Sequence, residues 1–425
     1  MQRVRRSIVA IVIVSTMVMG AQGLIASNAV TVQSAKPPIQ VSEIIPETTS
    51  HGQVVSLHGI GFATKLSRNH VRFSGSNTDA TILYATTLKL SVLVPEDATS
   101  GPITVTIGNR ITTTASPLNI VDVPSTEVCD LTTDASRQVT TKMLGTTAGQ
   151  FTNGPTVIKV PDWVEEPLGA YYMYFGDHRG VEIRLAFSDS LSGPWTVSPN
   201  PALRLDETLA IGGHIASPDV YIDDDSHTIY MTVHGEPIST MYENQVSVLV
   251  ESQDGFVFAQ DPSYTGSIWA TFPYARILKI DDTFVRIDPM EHQVSRSDSI
   301  TGPFSEPVNY SLPINREHRH ASVLLDGTSI VIYYTRVRDA PERIYRATID
   351  ASQPWGQWAL TNEQCVRRPE RSWEGAQFPV KFSKSGPANS VNQLRDPFIY
   401  DDGTDRALFY SYAGESGIAM AAISE

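Results

Sequence analysis

Apolar and polar positions alternate in short bursts along most of this chain. The runs "VVSLHGIGF", "ITVTIG", "AYYMYFG", "TIYMTVHG" and "SIVIYYTRV" are rich in β-branched and aromatic residues, and Gly, Pro, Asp and Ser separate them. A period of two bounded by such turns predicts strands. Almost no helical period occurs beyond the N-terminal residues, so the expected fold class is all-β.

The exception to the alternation is a continuous apolar run at the start. Arg3, Arg5 and Arg6 precede Ile8–Met19, and small residues follow as far as Ala29. This order predicts a signal peptide over 1–29, cleaved between Ala21 and Ala29. An uncleaved anchor is the alternative, but the run is short for a bilayer, which takes roughly 20 residues. No other segment is apolar enough, so the mature chain is expected to lack a membrane span. It is expected to be secreted: extracellular, periplasmic or at a cell surface.

Charge narrows the partners. Losing three arginines and no acid with residues 1–29 takes the formal charge from −14 to −17, which argues against nucleic acid or anionic membranes. A length of 425 residues suggests two or three domains, and a 41% hydrophobic content is enough for a proper core. In an exported protein Cys129 and Cys365 could form one disulfide or stay as two buried thiols; the sequence leaves both open. No Cys/His group has zinc spacing, so no metal site is expected.

Two parts are visible. Over 37–121 the strand-like runs follow one another at the spacing of a β-sandwich. The order of Gly52, Leu57-His58-Gly59-Ile60-Gly61-Phe62, Val94-Pro95 and Gly101 resembles the IPT/TIG type of immunoglobulin-like domain. That resemblance implies a spacing or supporting role. "DVPSTEV" (122–128) reads as a linker. Over 129–425 the chain repeats: "AFSDSLSGPW" (186–195) returns as "SRSDSITGPF" (295–304), with weaker copies at 250–259 and 347–358. Asp189 and Asp298 stand 109 residues apart, two units of roughly 55 residues each. Four antiparallel strands per unit make a propeller blade, and the part holds five. A second array of sandwiches is the alternative.

In a propeller the start of each first strand and the end of each second strand share one face near the axis. Those points carry His178, His214, His234 and His320, four of the ten histidines. Arg179, Arg276, Arg319, Arg336 and Arg395 join them, with Asp177, Asp219, Asp396 and Glu415. A basic cavity in an acidic chain suggests an anionic or heavily hydroxylated ligand, and two carboxyls in unlike environments are what glycosidic cleavage needs. Some of these arginines and acids could instead pair and only hold the channel together.

"SPDVYIDDDSHTIYMTVHG" and "LRDPFIYDDGTDRALFYSY" resemble blade openings of five-bladed propeller glycoside hydrolases of the family 43 arabinanase/xylosidase type. The resemblance implies that Asp219 of Ser217-Pro218-Asp219 orients the acid and tunes its pKa. It also implies a general base near Pro155 and a general acid near Pro273, where the chain has Asn153-Gly154-Pro155 and Thr271-Phe272-Pro273-Tyr274. The candidate replacements are Asp177, Asp396, Glu374 and Glu415, with Trp373 beside Glu374 as a stacking surface.

The expectation is a glycosidase with Asp219 and Asp396 as core carboxylates and Glu374 or Asp177 as acid or base. His178, His214, His234, Arg319, His320, Arg336, Arg395 and Glu415 would bind the carbohydrate or stabilise charge. A non-catalytic glycan-binding or adhesion module is the alternative, and a polysaccharide lyase a third reading. No cofactor is required. By the resemblance a calcium ion could sit in the channel, although no ligand loop demands it.

Overall fold

The computed structural model describes residues 38–423 except 50, 52, 96, 121–128, 130, 145–150, 243, 264–267, 313–317, 382 and 385. The expected leader and linker lie outside the described residues. The described chain is strand and turn with a few single-turn 3-10 segments. None of its helices is long and apolar enough to cross a membrane.

The N-terminal part has two antiparallel sheets. One orders its strands Gln40–Ile45, Val54–Ile60, Lys89–Leu93 and Ile82–Ala85; the other holds His70–Phe73, Ile103–Ile107 and Arg110–Thr113. The alternation in the sequence becomes a division of faces. Val55, Leu57, Leu90 and Val92 point into a core shared with Val71, Phe73, Ile103 and Val105, while their neighbours point away from it. Burying one such side chain contributes about 1.5–3 kcal/mol, enough to hold the register.

The C-terminal part has five further antiparallel sheets. The first contains Asn153–Lys159, Tyr171–Gly176, Glu182–Ser188 and Thr196–Val197, with Leu203–Arg204 pairing off its side. The second contains Ile211–Asp223, Thr228–Pro237 and Val246–Ser252. The third contains Arg276–Ile280, Thr283–Asp288, Gln293–Ser297 and Val308–Asn309. The fourth contains His318–Asp326, Ser329–Arg336, Ile344–Asp350 and Leu360–Arg367. The fifth contains Arg395–Asp401, Arg406–Ser411 and Gly417–Ile423, and Thr132–Thr140 from the far end of the part pairs onto its outer edge. The first strands touch in order from sheet one to sheet five, and that of sheet five also touches that of sheet one.

Burial changes from inside to outside. Asn153–Lys159 is buried at every position but the last, so its alternation disappears, as expected of a strand covered on both faces. Thr132–Thr140, at an outer edge, keeps exposed positions in pairs. The repeated "SDS" lies where third strands end. Ser188, Ser252 and Ser297 each accept the N–H two residues on, at 3.1, 3.2 and 3.1 Å, and Asp350 does the same at 3.0 Å. A short polar side chain that caps its own turn explains why that position recurs.

Cys129 and Cys365 form a disulfide, with Cα atoms 4.8 Å apart, which settles the open choice between bridge and thiols. It fastens the chain just before Thr132–Thr140 to the outer strand of the fourth sheet.

Candidate functional site

The first strands of the C-terminal sheets do not begin smoothly. Pairing slips between Asn153 and Thr156, twice between Gly212 and Asp219, between His318 and Ala321, and between Arg395 and Phe398. Gly154, Ser217, Tyr274 and Asp396 have left-handed backbones at these openings, with φ of 57°, 51°, 57° and 49°. Glycine adopts this freely, whereas for the other three it costs on the order of 1–3 kcal/mol each. Gly154, Ser217 and Asp396 each precede a proline, which bars the helical conformation. A bulge with an inverted residue turns side chains out of the ladder and toward the space beyond the strand end.

A cavity of about 280 Å³ occupies that space. Its walls carry His178, Arg179, His214, His234, Arg319, Asp396 and Glu415, all anticipated from sequence, together with Asn153, Glu236, Gln245 and Tyr274. His320 and Arg395 stand behind the wall as fully buried residues, and Asp219 lies deeper, its Oδ1 3.9 Å from Arg276 Nε.

Three anticipated residues are placed elsewhere. Glu374 is sealed from solvent, held by Arg367 Nη2 (2.7 Å), the Tyr410 hydroxyl (2.6 Å) and the backbone N–H groups of Glu370 and Arg371. Trp373 beside it packs edge-on to Tyr412 and partly covers that cluster. Arg336 pairs with Glu363 and lies over the Tyr345 ring, 3.8 Å from its centroid. Asp177 turns to Arg184 at 3.4 Å, and burial pushes its carboxyl up. None of the three lines the cavity, because each meets a partner from its own or an adjacent sheet first.

Two carboxyls of the fifth sheet differ in environment. Glu415 accepts from Arg395 Nη1 (2.8 Å), His178 Nδ1 (3.1 Å) and Asn153 Nδ2 (3.4 Å). Asp396 accepts from Ser411 Oγ at 3.3 Å, and its pKa is pushed up to about 6. Burial is the main cause and the Glu415 charge the next, while Arg319 and Arg395 oppose them. Beneath them Glu342, fully buried and missed in the sequence, accepts from Arg319 (3.1 Å) and Thr335 (2.9 Å) and forms an ion pair with Arg395 (3.2 Å). Burial, the largest single influence, works against the Arg319 charge, but Glu342, Asp396, Tyr274 and Glu415 together outweigh it and the pKa goes up.

Burial keeps His214, His234 and His320 neutral. Burial, then neighbouring cationic groups, holds His234 and His320 well below the usual range. Burial also lowers His214, against Glu236. Arg276 Nη2 donates to His320 Nε2 at 2.7 Å, so the ring proton sits on Nδ1. Nδ1 of His320 and of His234 has no hydrogen-bond partner among the described residues. Tyr274 lies between them, its ring 4.3 Å from His234 and 5.5 Å from His320. The cavity thus offers a protonatable acid, charged donors and neutral ring donors around one small polar space.

Calcium requires about 6–8 oxygen ligands. Here Glu415 and Glu342 already face guanidinium groups, and among the described residues no three His, Cys, Asp or Glu side chains are placed to hold an ion. Among the described residues these side chains do not assemble a calcium site.

Fold and site together define an all-β protein with a carboxyl- and histidine-lined cavity at the ends of converging strands. No family model matches the sequence. The chain is 33% identical over 294 residues, 63% of this chain and 82% of the relative, to uncharacterized protein R118 of Acanthamoeba polyphaga mimivirus, and it belongs to that protein's family. Solved structures that resemble it include family 43 glycoside hydrolases. A thermostable family-43 glycoside hydrolase covers 64% of this chain and 88% of its own, at 14% identity and a TM-score of 0.43. A GH43 β-xylosidase/α-arabinofuranosidase from a compost microbial metagenome covers 69% and 94%, at 13% and 0.46. A glycosyl hydrolase from Bacteroides ovatus covers 64% and 84%, at 11% and 0.47. Likeness at this level carries no weight in assigning residues or reaction.

Proposed function

We propose that this is a secreted carbohydrate-active protein that hydrolyses a glycosidic bond in the cavity described. We read its C-terminal part as a five-bladed propeller and its N-terminal part as an IPT/TIG-like domain. The propeller reading is supported by five antiparallel sheets whose first strands touch in sequence, and by Thr132–Thr140 completing the last sheet.

The observation that carries the function is the pair of unlike carboxyl environments in one small cavity. Asp396, raised to about 6, is the proton donor. Glu415 is engaged by three donors and serves to keep Asp396 protonated. Glu236, on the wall supplied by the second sheet and exposed, is left to act on water. Water oxygen attacks the anomeric carbon as the bond to the leaving oxygen breaks. Asp396 gives its proton to that oxygen and Glu236 takes one from the water. Arg319 and the His234 ring would hold sugar hydroxyls.

A non-catalytic glycan-binding role is the second reading. It is favoured by Gly154 and Thr271 standing where the family resemblance expects a base and an acid. Purified protein and its Asp396→Asn and Glu236→Gln variants, incubated with a broad oligosaccharide panel, separate the two. Reducing-end release by the parent and not by the variants supports hydrolysis; binding without release supports the second reading. An unsaturated product absorbing in the ultraviolet would replace both with elimination.

A further inference from the structure

A second chamber of about 620 Å³ adjoins the cavity. His178, Gln245, Tyr274, Arg319 and Gly386 line both, so the two are one space partitioned by side chains. Beyond it is a third hollow of about 660 Å³, which shares Met290, Glu291 and Val337 with the second. Its far wall is the N-terminal four-stranded sheet. There Ser56 and His58 alternate with core residues Val55 and Leu57, and Lys89 and Ser91 alternate with Leu90 and Val92. Tyr84, on the edge strand, lines the hollow and is 55% exposed.

The inner cavity is small for a whole ligand, since small-molecule sites run to about 300–1,000 Å³. A bound molecule that fills it has to continue into the second chamber. Asp288 lines that chamber yet is only 1% exposed. Its Oδ1 accepts the N–H groups of Met290 (2.9 Å) and Glu291 (3.0 Å), and its Oδ2 has no partner among the described residues. A buried polar atom left unmatched costs about 1–3 kcal/mol, and a ligand hydroxyl would remove that cost. Phe272 and Tyr274 supply ring surface to the same chamber. Rings with a few fixed polar groups are what a sugar's mixed faces require.

We propose that the three hollows form one trough for a linear oligosaccharide, with its terminal unit in the inner cavity, following units along Asp288, and distal units against Tyr84. On this reading the N-terminal sheets form part of the ligand site, beyond the supporting role expected of them. The inference rests on the carbohydrate reading above.

The test is calorimetric titration of the full chain with ladders of xylo-, cello-, manno- and galacturono-oligosaccharides of increasing length. Affinity should rise with length through several units on one ladder. Tyr84→Ala should weaken only the longer members, about tenfold, the worth of one aromatic contact. Asp288→Asn, which keeps an oxygen for the two N–H groups, should weaken members from the dimer upward at least fivefold and spare the monosaccharide. A thermal melt shows that both variants fold. Affinity that stops rising at the monosaccharide, or variants that weaken every length equally, would overturn the trough and leave the carbohydrate reading standing. Failure of all ladders to bind or be cleaved would remove both.

Discussion

Tyr410 and Ser411 are adjacent on one strand, and alternation sends their hydroxyls to opposite sides. Tyr410 donates to Glu374 at 2.6 Å and Ser411 to Asp396 at 3.3 Å. Both acids were candidates from sequence, and both lie near arginines. Glu374 sits in a sealed cluster where every neighbour is a donor aimed at it. Asp396 opens on a cavity and faces a second acid. The first arrangement fixes its acid in place, whereas the second favours a proton that can leave. Two hydroxyls one position apart thus serve a structural anchor on one side and a candidate acid on the other.

Breaking the open side should have the larger effect on chemistry. Asp396→Asn removes the proposed donor and is expected to lower glycoside cleavage by about 10²–10⁴-fold, read as reducing-end release, with the melting temperature held or raised. Breaking the sealed side should do the reverse. Glu374→Ala leaves Arg367 buried and unpaired, at a cost of about 3–5 kcal/mol in denaturant unfolding, while activity per folded molecule stays unchanged. An active-site role for Glu374 would show as lost turnover in protein that still melts normally.

Next comes the disulfide beside the sealed cluster, where Arg367 Nη1 also donates to Thr132 Oγ1 at 3.0 Å. Cys129→Ser with Cys365→Ser is expected to cost about 2–5 kcal/mol of stability and to leave oligosaccharide affinity alone. The pH response sharpens the comparison. Asp396 titrates at about 6 in the folded chain and near 3.9 when unfolded. The native state therefore binds the extra proton between roughly pH 4 and 6, and this group's contribution to stability declines as pH rises through that window. Activity that needs the protonated form declines above about pH 6. In Asp396→Asn that part of the stability slope should vanish; an unchanged slope would show that another group sets it. The smallest effect is expected at Gly213, whose φ is +74° and whose added Cβ would stand 2.7 Å from Glu236 Oε2. Gly213→Ala should push Glu236 aside and lower turnover severalfold with little change in KM.

Much of the C-terminal layout was legible. The strand openings at Asn153, Arg395 and around Ser217 follow from proline and turn residues beside apolar runs. The "SDS" copies mark third-strand ends because each needs a short capping side chain. Seven anticipated residues, Arg179 among them, line the cavity, since position along a strand decides which end a side chain occupies. Glu236, Tyr274 and Glu342 were missed. Glu236 lay within "VHGEP" and Tyr274 within "TFPYAR", both already placed at strand ends, so the residues were in view without a reason to single them out. Glu342, in "APERIY", has no local signal, because its role comes from Arg319 and Arg395 arriving from other segments.

The period-two pattern by itself determined that the chain is all-β, where its strands begin and end, and which residues could reach a common face. It did so because backbone hydrogen bonding and side-chain alternation are local properties. The partner of each charge was decided only by the tertiary structure. Glu374 meets Arg367 and Tyr410, Asp396 meets Glu415, and Thr132–Thr140 pairs with Gly417–Ile423 across nearly the whole C-terminal part. Protonation state and solvent access depend on those distant neighbours, and so does the difference between an anchor and an acid.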